Sequence, residues 1–345
     1  METAPLAKSL LAWYDVSGRD LPWRSNISPY QVWLSEIMLQ QTTVKTVEPY
    51  FEKFIDRWPT LALFAKASQD EVLHAWQGLG YYARARNMLR CAEKIISSYE
   101  GVFPDKEDEL LKLPGIGPYT AAAIAAIAFN QPATVIDGNV ERVISRLRMV
   151  EEPLPHAKTA IKKLAQEITP VFRSGDYAQA IMDLGATVCR PKNPLCTECP
   201  WQSSCLASHY GKATQFPRRE AKQRRPTRYG LIFWVLRRDR RFLVYRRPEK
   251  GIYGGLVEVP TSEWIKTDDA NYYRESKFPV NAKWERLPLT IRHDFTHFRL
   301  ELDIVKAEID GRILKTGIWC NADEFLEHAS STLSKKIVEF IKLQN

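Results

Sequence analysis

LPGIGPYT, residues 113–120, joins two segments whose apolar residues recur at helical spacing. The first segment is KEDELLKL, and the second begins at Pro118, because proline is favoured at the first position of a helix. The turn between them needs the free backbone of glycine at Gly115 and Gly117. Backbone N–H groups left bare at the start of the second helix bind a phosphate without reading the base sequence. The stretch therefore predicts a helix–hairpin–helix, although glycine and proline also form ordinary turns between helices.

The pattern of apolar residues divides the chain into two parts. Helical spacing recurs at residues 5–14, 29–42, 44–56, 69–76, 82–99, 106–112, 118–129, 139–149, 157–169 and 176–187. Later, aromatic and β-branched runs predict strands within LIFWVL, RFLVYRR, GLVEVP and TIRHDFTHFRLELDIVKAEI, and helices follow near 321–328 and 332–342. We predict a multidomain protein with an all-α domain over residues 1–215, a linker over 216–228 and an α+β domain over 229–345.

Positive charge is concentrated at the boundary between the predicted domains. The chain has a net charge of +8, and residues 217–228 and 237–247 each contain six basic residues and one acidic residue. Such a patch attracts a phosphate backbone through counterion release, or it is a solvated linker and hairpin turn. No secretory signal is visible, and the apolar run Tyr119 to Phe129 is shorter than the roughly 20 residues of a membrane helix. We expect a cytoplasmic protein of bacterial type that works at the nucleoid, has no membrane partner and, without a heptad seam, is monomeric.

Four cysteines lie close together, with six, two and five residues between them: Cys189, Cys196, Cys199 and Cys205. Thiolates at this spacing suit a cubane iron–sulfur cluster. A tetrahedral zinc site is the nearest alternative. Disulfides are a poorer one, because Cys91 and Cys320 are scattered and nothing else indicates a secreted scaffold.

Residues 28–43, SPYQVWLSEIMLQQTT, predict a helix that is apolar on almost every side. Ser28 and Gln31 form a capping box at its start, with proline at the first helical position. Glu36 is isolated in the middle of this helix, where loss of water raises the pKa of a carboxyl group towards that of a usable general acid. The alternative is a structural Glu36 that is buried and paired with a nearby arginine.

Three motifs in this order resemble the endonuclease III-like superfamily of base-excision DNA glycosylases: LPGIGPYTA at 113–121, VIDGNVERV at 135–143 and the cysteine loop. The resemblance covers residues 5–210. It implies a six-helix barrel beside an iron–sulfur module, with double-stranded DNA in the groove between them. It also implies that the four cysteines hold a [4Fe-4S] cluster with a mainly structural role.

Asp137 is the first candidate catalytic residue, because enzymes of this superfamily take a base out of the duplex to reach its glycosidic bond. Asp137 also lies just before a predicted helix, where a capping role alone would explain it. The two roles are compatible, since a helix N-terminus keeps a carboxylate ionised and able to stabilise an oxocarbenium-like sugar. The resemblance implies that Asn139 supports Asp137.

Tyr119 departs from the members of the superfamily that also cleave the DNA strand. Those members have a lysine at this position, which forms a Schiff base with the sugar. Because tyrosine has no amine, we expect a monofunctional glycosylase that uses water. The alternative is an aromatic residue that packs inward at the start of a helix.

WLSEIMLQQT, GLGYYARARN and GRDLPWR resemble the MutY family of adenine DNA glycosylases. The resemblance implies that Glu36 protonates adenine at N7 while Asp137 faces the cationic sugar. It assigns the adenine pocket to Arg19, Leu21, Trp23 and Arg24, with Thr120 and Gln179 as weaker candidates. It places Gln41 and Tyr81 in the DNA stack near the lesion, whereas the alternatives are a helix-end polar residue and a core aromatic. Independently, Arg190 and Lys192 predict phosphate contacts beside those of Gly115 and Gly117.

Residues 229–345 resemble the Nudix-like C-terminal domain of the MutY family, which recognises 8-oxoguanine opposite adenine. Gly254-Gly255-Leu256 and HDFTHFRL carry the match. The Phe-Ser-His step that contacts the oxidised base reads Phe295-Thr296-His297 here, so the hydroxyl is kept and a methyl is added. A plain strand is the alternative. The glutamate-rich Mg²⁺ motif of a Nudix hydrolase is reduced to Arg274-Glu275, which favours a reader over a second catalyst.

Two other functions are compatible with parts of this pattern. Some thymine-mismatch glycosylases of the superfamily also have tyrosine at the Tyr119 position, but they lack the C-terminal reader. A non-catalytic iron–sulfur DNA-binding protein would use its cluster as a redox sensor, and the presence of Glu36 and Asp137 argues against it. The sequence favours excision of adenine from a mispair with 8-oxoguanine or guanine.

Overall fold

The computed structural model describes residues 3–25, 27–221, 225–266, 276–310 and 317–342. The chain forms two compact units. We call Met1–Lys66 with Asn87–Ala221 the helical unit, and Ala67–Arg86 with Lys222–Asn345 the mixed unit. Within the described ranges, no helix has the length and apolar character needed to cross a membrane.

The first part of the chain is helical, as predicted. Its helices are α1 (Thr3–Ser17), α2 (Pro29–Leu39), α3 (Val44–Arg57), α4 (Leu61–Phe64), α5 (Gln69–Ala75), α6 (Ala83–Ser98), α7 (Glu107–Leu110), α8 (Pro118–Phe129), α9 (Gly138–Arg148), α10 (Lys158–Ile168), α11 (Ser174–Asp183) and α12 (Leu206–His209). The short helices α4 and α12 were not predicted, because one turn gives too little periodicity to detect. A π-helical turn, Leu184–Val188, continues α11 towards Cys189.

The centre of the helical unit is α8, which packs against both α2 and α11. Its residues Thr120–Ala126 are all buried, and most of them are alanine, so neighbouring helices approach its backbone closely. An aromatic cluster completes the core beside α2, where Trp33 contacts Phe64 and Phe103. Polar side chains on the inner faces of α2 and α8, such as Glu36 and Thr120, are therefore buried among the helices that surround α8.

The helix–hairpin–helix is confirmed, with two corrections. Helix α8 begins at Pro118 as predicted, but α7 ends at Leu110 and is shorter than the apolar pattern indicated. Gly115 has a φ of +77°, and a Cβ there would lie 2.7 Å from the Cβ of Asn87. Gly117 has an extended backbone with φ of −97°, and a Cβ there would meet no atom within 4 Å. Glycine is therefore required by the backbone at the first position and not at the second.

Among the residues described, the mixed unit contains α5, a six-stranded sheet and two C-terminal helices. Its strands are β1 (Thr227–Arg237), β2 (Phe242–Arg246), β3 (Val257–Glu258), β4 (Glu285–Asp294), β5 (Arg299–Ile309) and β6 (Ile318–Cys320), followed by α13 (Ala322–Glu327) and α14 (Thr332–Lys342). The sheet order is β3-β2-β1-β5-β4, and β6 pairs with β2. Strands β1 and β5 are parallel, whereas the other pairs are antiparallel. The predicted run over residues 290–309 is two strands, because it turns back at residues 295–298.

Residues 67–86 pack with the sheet of the mixed unit, although the predicted all-α domain included them. Asp70 forms an ion pair with Arg246 at 2.6 Å. Arg86 Nη1 donates a hydrogen bond to the Gly254 carbonyl at 2.5 Å, and Arg86 is almost fully buried. The compact units therefore differ from the predicted domain boundaries in this segment, since these contacts join residues far apart in the sequence.

Candidate active site

A cavity of about 700 Å³ opens in the helical unit. Its walls come from α2, α3, α8, α11, the start of α9 and the segments that precede α2 and α9. The lining includes nine residues predicted from the sequence: Arg19, Leu21, Trp23, Arg24, Glu36, Tyr119, Asp137, Asn139 and Gln179. Thr120 lies behind the wall, where its hydroxyl accepts a hydrogen bond from the lining residue Gln40 at 3.1 Å. The cavity thus brings together residues that are distant in sequence.

Glu36 is a buried acid on the wall of this cavity, and only 4% of it is exposed. Its Oε2 accepts a hydrogen bond from the Tyr119 hydroxyl. The pKa of Glu36 is raised to about 7, because burial and the negative charge of Asp137 together outweigh the Tyr119 hydrogen bond and the charge of Arg24, which lower it. The group is poised to give up or accept a proton near neutral pH. The capping expected at the start of α2 is half present, because Ser28 accepts from the Gln31 N–H but Gln31 does not reciprocate.

Asp137 is the N-cap of α9, as the sequence predicted. Its Oδ1 accepts hydrogen bonds from the backbone N–H of Asn139 at 2.9 Å and of Val140 at 2.7 Å. Its Oδ2 accepts one from Asn139 Nδ2 at 2.8 Å. Burial raises the pKa of Asp137, in opposition to these hydrogen bonds, so the helix start does not depress it as expected. Capping nevertheless fixes the carboxyl group in place beside the cavity.

Tyr119 and Lys45 are relevant to any covalent chemistry at this site. Tyr119 lies in the first turn of α8, and its pKa is raised well above its usual value by burial and by the charges of Glu36 and Asp137. The hydroxyl is therefore protonated and acts as a hydrogen-bond donor to Glu36. Lys45, at the start of α3, is the only amine among the described residues that line the cavity, and it is exposed. Sequence analysis did not identify it.

Asp183 was also missed, although it is completely buried at the end of α11. It forms ion pairs with Arg19 at 2.5 Å and with Arg24 at 2.7 Å. Both arginines line the cavity, and neither is hydrogen-bonded to Glu36, so the structural pairing considered for Glu36 is wrong for the part of the chain that is described. An isolated acid within an apolar helical run was the signal that identified Glu36, and AIMDLGA carries the same signal at Asp183.

Comparison with known proteins agrees with this geometry. Residues 34–171 match the model of the HhH-GPD superfamily of base excision DNA repair proteins, and residues 231–340 match the NUDIX domain. The adenine DNA glycosylase of Buchnera aphidicola from Acyrthosiphon pisum is 36% identical, over 85% of this chain and 84% of the relative. The human adenine DNA glycosylase is 33% identical, over 97% of this chain and 74% of the relative. The chain belongs to the MutY family.

A solved structure of a thermostable thymine-DNA glycosylase is also similar to part of the chain. It superposes with a TM-score of 0.56 at 28% identity, and the match covers 60% of this chain and 97% of that structure. The match therefore leaves part of this MutY-family protein without a counterpart in that structure.

The cysteine loop of this MutY-family protein surrounds a small cavity. All four cysteines line it together with Arg146, whose Nη1 donates a hydrogen bond to Cys189 Sγ at 3.3 Å. Among the described side chains, no three His, Cys, Asp or Glu residues are close enough to share a single metal ion. Sulfur atoms placed around a cavity, with a buried arginine to balance thiolate charge, suit a cluster larger than one ion.

A buried arginine also connects this loop to the N-cap of α9. Arg142 Nε donates to the Cys189 carbonyl at 2.8 Å, and its Nη2 donates to Asn139 Oδ1 at 2.9 Å. Asn139 in turn donates to Asp137. The predicted support of Asp137 by Asn139 is therefore present in the structure, and Arg142 holds Asn139 in the orientation that allows it.

The predicted lesion-recognition residues meet in the mixed unit. Phe295-Thr296-His297 forms the turn between β4 and β5, closed by a hydrogen bond from the Phe295 N–H to the Phe298 carbonyl at 2.9 Å. The hydroxyls of Thr296 and Tyr81 lie 2.6 Å apart, and both residues are exposed. Phe295 and Phe298, at the two ends of this turn, stack on each other with ring centroids 4.6 Å apart and so stabilise the turn. The two predicted DNA contacts therefore form one surface.

The other predicted DNA contacts differ in exposure. Gln41, predicted to enter the DNA stack, is exposed. Of the predicted phosphate contacts, Lys192 is exposed, and Arg190 is half-buried and donates to the Asn193 carbonyl at 3.0 Å. The second basic stretch is largely neutralised by ion pairs with acids, since Arg237, Arg238, Arg241, Arg246 and Arg247 pair with Asp239, Asp310, Glu324, Asp70 and Glu258. These ion pairs favour the alternative of a solvated hairpin turn over a phosphate-binding patch for this stretch, because Asp239 within it and four acids outside it offset its charge.

Proposed function

We propose that this protein is a monofunctional adenine DNA glycosylase of base excision repair, which hydrolyses the N-glycosidic bond of adenine opposite 8-oxoguanine or guanine in duplex DNA. One observation carries the proposal. The cavity of the helical unit holds two carboxyl groups in different environments: Glu36, which forms no ion pair with any described residue, and Asp137, at a helix N-terminus. Such a pair can divide acid and electrostatic roles between its members.

The reaction begins when adenine leaves the stack and enters the cavity. Protonated Glu36 gives its proton to N7 of adenine, which makes the base a neutral leaving group as the bond from N9 to the sugar breaks. The bonding electrons leave with the base, and the ionised carboxylate of Asp137 stabilises the positive charge on the sugar. Water then attacks the sugar and loses its proton to Glu36, which restores the starting state. Tyr119 donates its hydroxyl hydrogen to Glu36 and so fixes the orientation of the acid.

The four cysteines of the loop are proposed to hold the [4Fe-4S] cluster. The donor set supports this assignment, because four sulfur atoms face one cavity and Arg146 is buried beside them. When bound, the cluster supplies rigid cross-links between segments of the loop and a centre capable of electron transfer. The carbonyls of Cys189, Arg190 and Pro191 accept hydrogen bonds from Arg146, which shapes the segment that carries Lys192.

The turn that carries Thr296 is proposed to recognise 8-oxoguanine, with Tyr81 inserted beside it. The Thr296 hydroxyl can both donate and accept, so it can pair with the N7–H and O8 groups that distinguish the oxidised base from guanine. Arg274-Glu275, the remnant of the hydrolase motif, lies outside the described residues. An assay of the purified protein with 8-oxo-dGTP tests whether this domain is also a hydrolase. We expect no hydrolysis of this nucleotide, because the Mg²⁺-binding motif is incomplete in the sequence.

A single-turnover assay on defined duplexes tests the proposed function. We expect release of adenine opposite 8-oxoguanine and, more slowly, opposite guanine. Thymine opposite guanine is the control, because a thymine-DNA glycosylase structure is similar to part of this chain. Release of thymine without adenine would assign the protein to that activity instead, and DNA binding without release of either base would favour the redox-sensor alternative.

Borohydride reduction during turnover tests the monofunctional assignment. We expect little trapped protein–DNA adduct, because Tyr119 offers no amine. Lys45→Met is the matched variant, since Lys45 is the lysine that lines the cavity. An efficient adduct in the wild-type protein would contradict the assignment, and its loss in Lys45→Met would identify the amine.

A further inference from the structure

Asp183 is held by two arginines through five hydrogen bonds. Its Oδ1 accepts from Arg19 Nε at 2.8 Å, Arg19 Nη2 at 2.5 Å and Arg24 Nη2 at 2.9 Å. Its Oδ2 accepts from the Arg19 backbone N–H at 3.0 Å and Arg24 Nη1 at 2.7 Å. A carboxylate with no exposed surface is costly to keep ionised unless it is paired in this way.

The local fold is built to keep Asp183 in this position. Burial alone would raise the pKa of Asp183, but the hydrogen bonds from Arg24 and Arg19 outweigh burial and hold it below its usual range. The helix changes from α to π directly after Asp183, and Thr187 Oγ1 donates to the Asp183 carbonyl at 2.8 Å. Single π-helical turns within helices frequently occur at functional sites. Tyr14 adds a ring beside Arg24, with the guanidinium carbon 5.8 Å from its centroid.

Glu36 is the buried carboxyl group that shares a cavity with these two arginines. Arg24 and Arg19 line the same cavity as Glu36, and Arg24 is near enough for its charge to lower the pKa of Glu36. The other charged or titratable groups on the cavity walls are Tyr119 on α8, Asp137 before α9 and Lys45 on α3. A guanidinium that paired directly with Glu36 would favour its ionised form strongly, and an ionised Glu36 cannot donate a proton.

We propose that Asp183 is a positioning residue, which binds Arg19 and Arg24 and so leaves Glu36 free of an arginine partner and able to act as a proton donor. The inference rests on the proposed adenine glycosylase activity, because it concerns the acid of that reaction. Asp183 acts through the two arginines and not through its own charge, since the groups that bear on Glu36 are Tyr119, Asp137 and Arg24.

The test is the pH dependence of single-turnover adenine release in the wild-type protein, Asp183→Asn and Arg24→Met. The rate falls as pH rises through the pKa of Glu36, because only the protonated acid donates. In Asp183→Asn, Arg24 is released towards Glu36 and its charge is no longer offset, so the fall moves to lower pH by about one unit or more. In Arg24→Met, the cation is gone and the fall moves to higher pH.

The pH profiles of these two variants should shift in opposite directions, although Asp183 and Arg24 are bonded to each other. A purely structural role of Asp183 would instead lower the rate at every pH without moving the profile. The double variant Asp183→Asn/Arg24→Met should show a smaller downward shift than Asp183→Asn, because Arg19 is then the one released arginine. An unshifted or upward-shifted profile in Asp183→Asn, or a downward shift in Arg24→Met, would overturn the inference. If Asp183→Asn does not fold, as judged by circular dichroism, Arg24→Met alone decides. Absence of adenine release by the wild-type protein would instead overturn the proposed function.

Discussion

The helical unit and the mixed unit use polar groups in different ways. The helical unit encloses Glu36 and Asp183 among apolar helices, where burial changes pKa values and every polar neighbour matters. The mixed unit presents Thr296 and Tyr81 on an exposed turn and forms most of its ion pairs at the surface. Low polarity strengthens electrostatic interactions, whereas water weakens them. We therefore expect single substitutions in the helical unit to cause large losses in the rate of adenine release. Single substitutions in the mixed unit should cause only small losses in recognition of the opposite base.

The largest effect is expected from Glu36→Gln. Glutamine keeps the size of the side chain and can still accept from Tyr119, but it has no proton to give at neutral pH. The rate of adenine release should fall by about 10³-fold, within the range typical of general acid catalysis. Affinity for the mispaired duplex, measured by fluorescence anisotropy, should be unchanged. Substantial residual turnover would show that Glu36 is not the general acid.

Asp137→Asn should follow closely, with a loss of about 10²-fold to 10³-fold, because the carboxylate charge that stabilises the sugar is removed. Asparagine is a good N-cap, so α9 should keep its start and the melting temperature should change little. A large drop in melting temperature would mean that capping, and not charge, explains Asp137.

The wild-type pH profile is a third measure of the helical unit. Because burial raises the pKa of Glu36 to about 7, the acid is protonated below this pH and ionised above it. Single-turnover adenine release should therefore decline as pH rises through about 7. A decline near pH 4 or 5, the ordinary range of a glutamate, would mean that Glu36 is solvated in the functional state.

Gly115→Ala and Gly117→Ala form a matched pair within the hairpin. Alanine at Gly115 must adopt a positive φ and would crowd Asn87, so the free energy of unfolding should fall by about 1–2 kcal/mol. Alanine at Gly117 meets neither problem, and its free energy of unfolding should match the wild type within experimental error. Equal losses in urea denaturation would contradict the assigned difference between the two glycines.

The smallest effect is expected in the mixed unit. Thr296→Val removes the hydroxyl and keeps the shape, so the preference for 8-oxoguanine over guanine should fall by roughly 10-fold, the value of about one hydrogen bond. Thr296→Ser is the control that restores the hydroxyl. The rate of the chemical step on bound adenine should be unchanged, and a loss as large as that of Glu36→Gln would erase the distinction between the two units.

Most of the fold could be predicted because its signals are local. Apolar spacing predicts the long helices, proline and glycine mark the hairpin, and alternating aromatic residues predict the strands. Glu36 was found because a charge inside an apolar helix is anomalous without reference to any other residue. The parallel pairing of β1 with β5 was not predicted, since strand order depends on contacts between distant segments. The same holds for residues 67–86, whose partners lie in the C-terminal part of the chain.

The sequence by itself determined the residue types of the site: an isolated acid, a capping aspartate, a tyrosine in place of lysine, four spaced cysteines and a threonine in the recognition turn. Only the tertiary structure decided which of these groups interact. Asp183 lies 164 residues from Arg19, Tyr119 lies 83 from Glu36, and Thr296 lies 215 from Tyr81. Each pair determines a protonation state or a binding surface. Each forms because the packing of the whole chain fixes distances between residues that are far apart in the sequence, which local spacing cannot do.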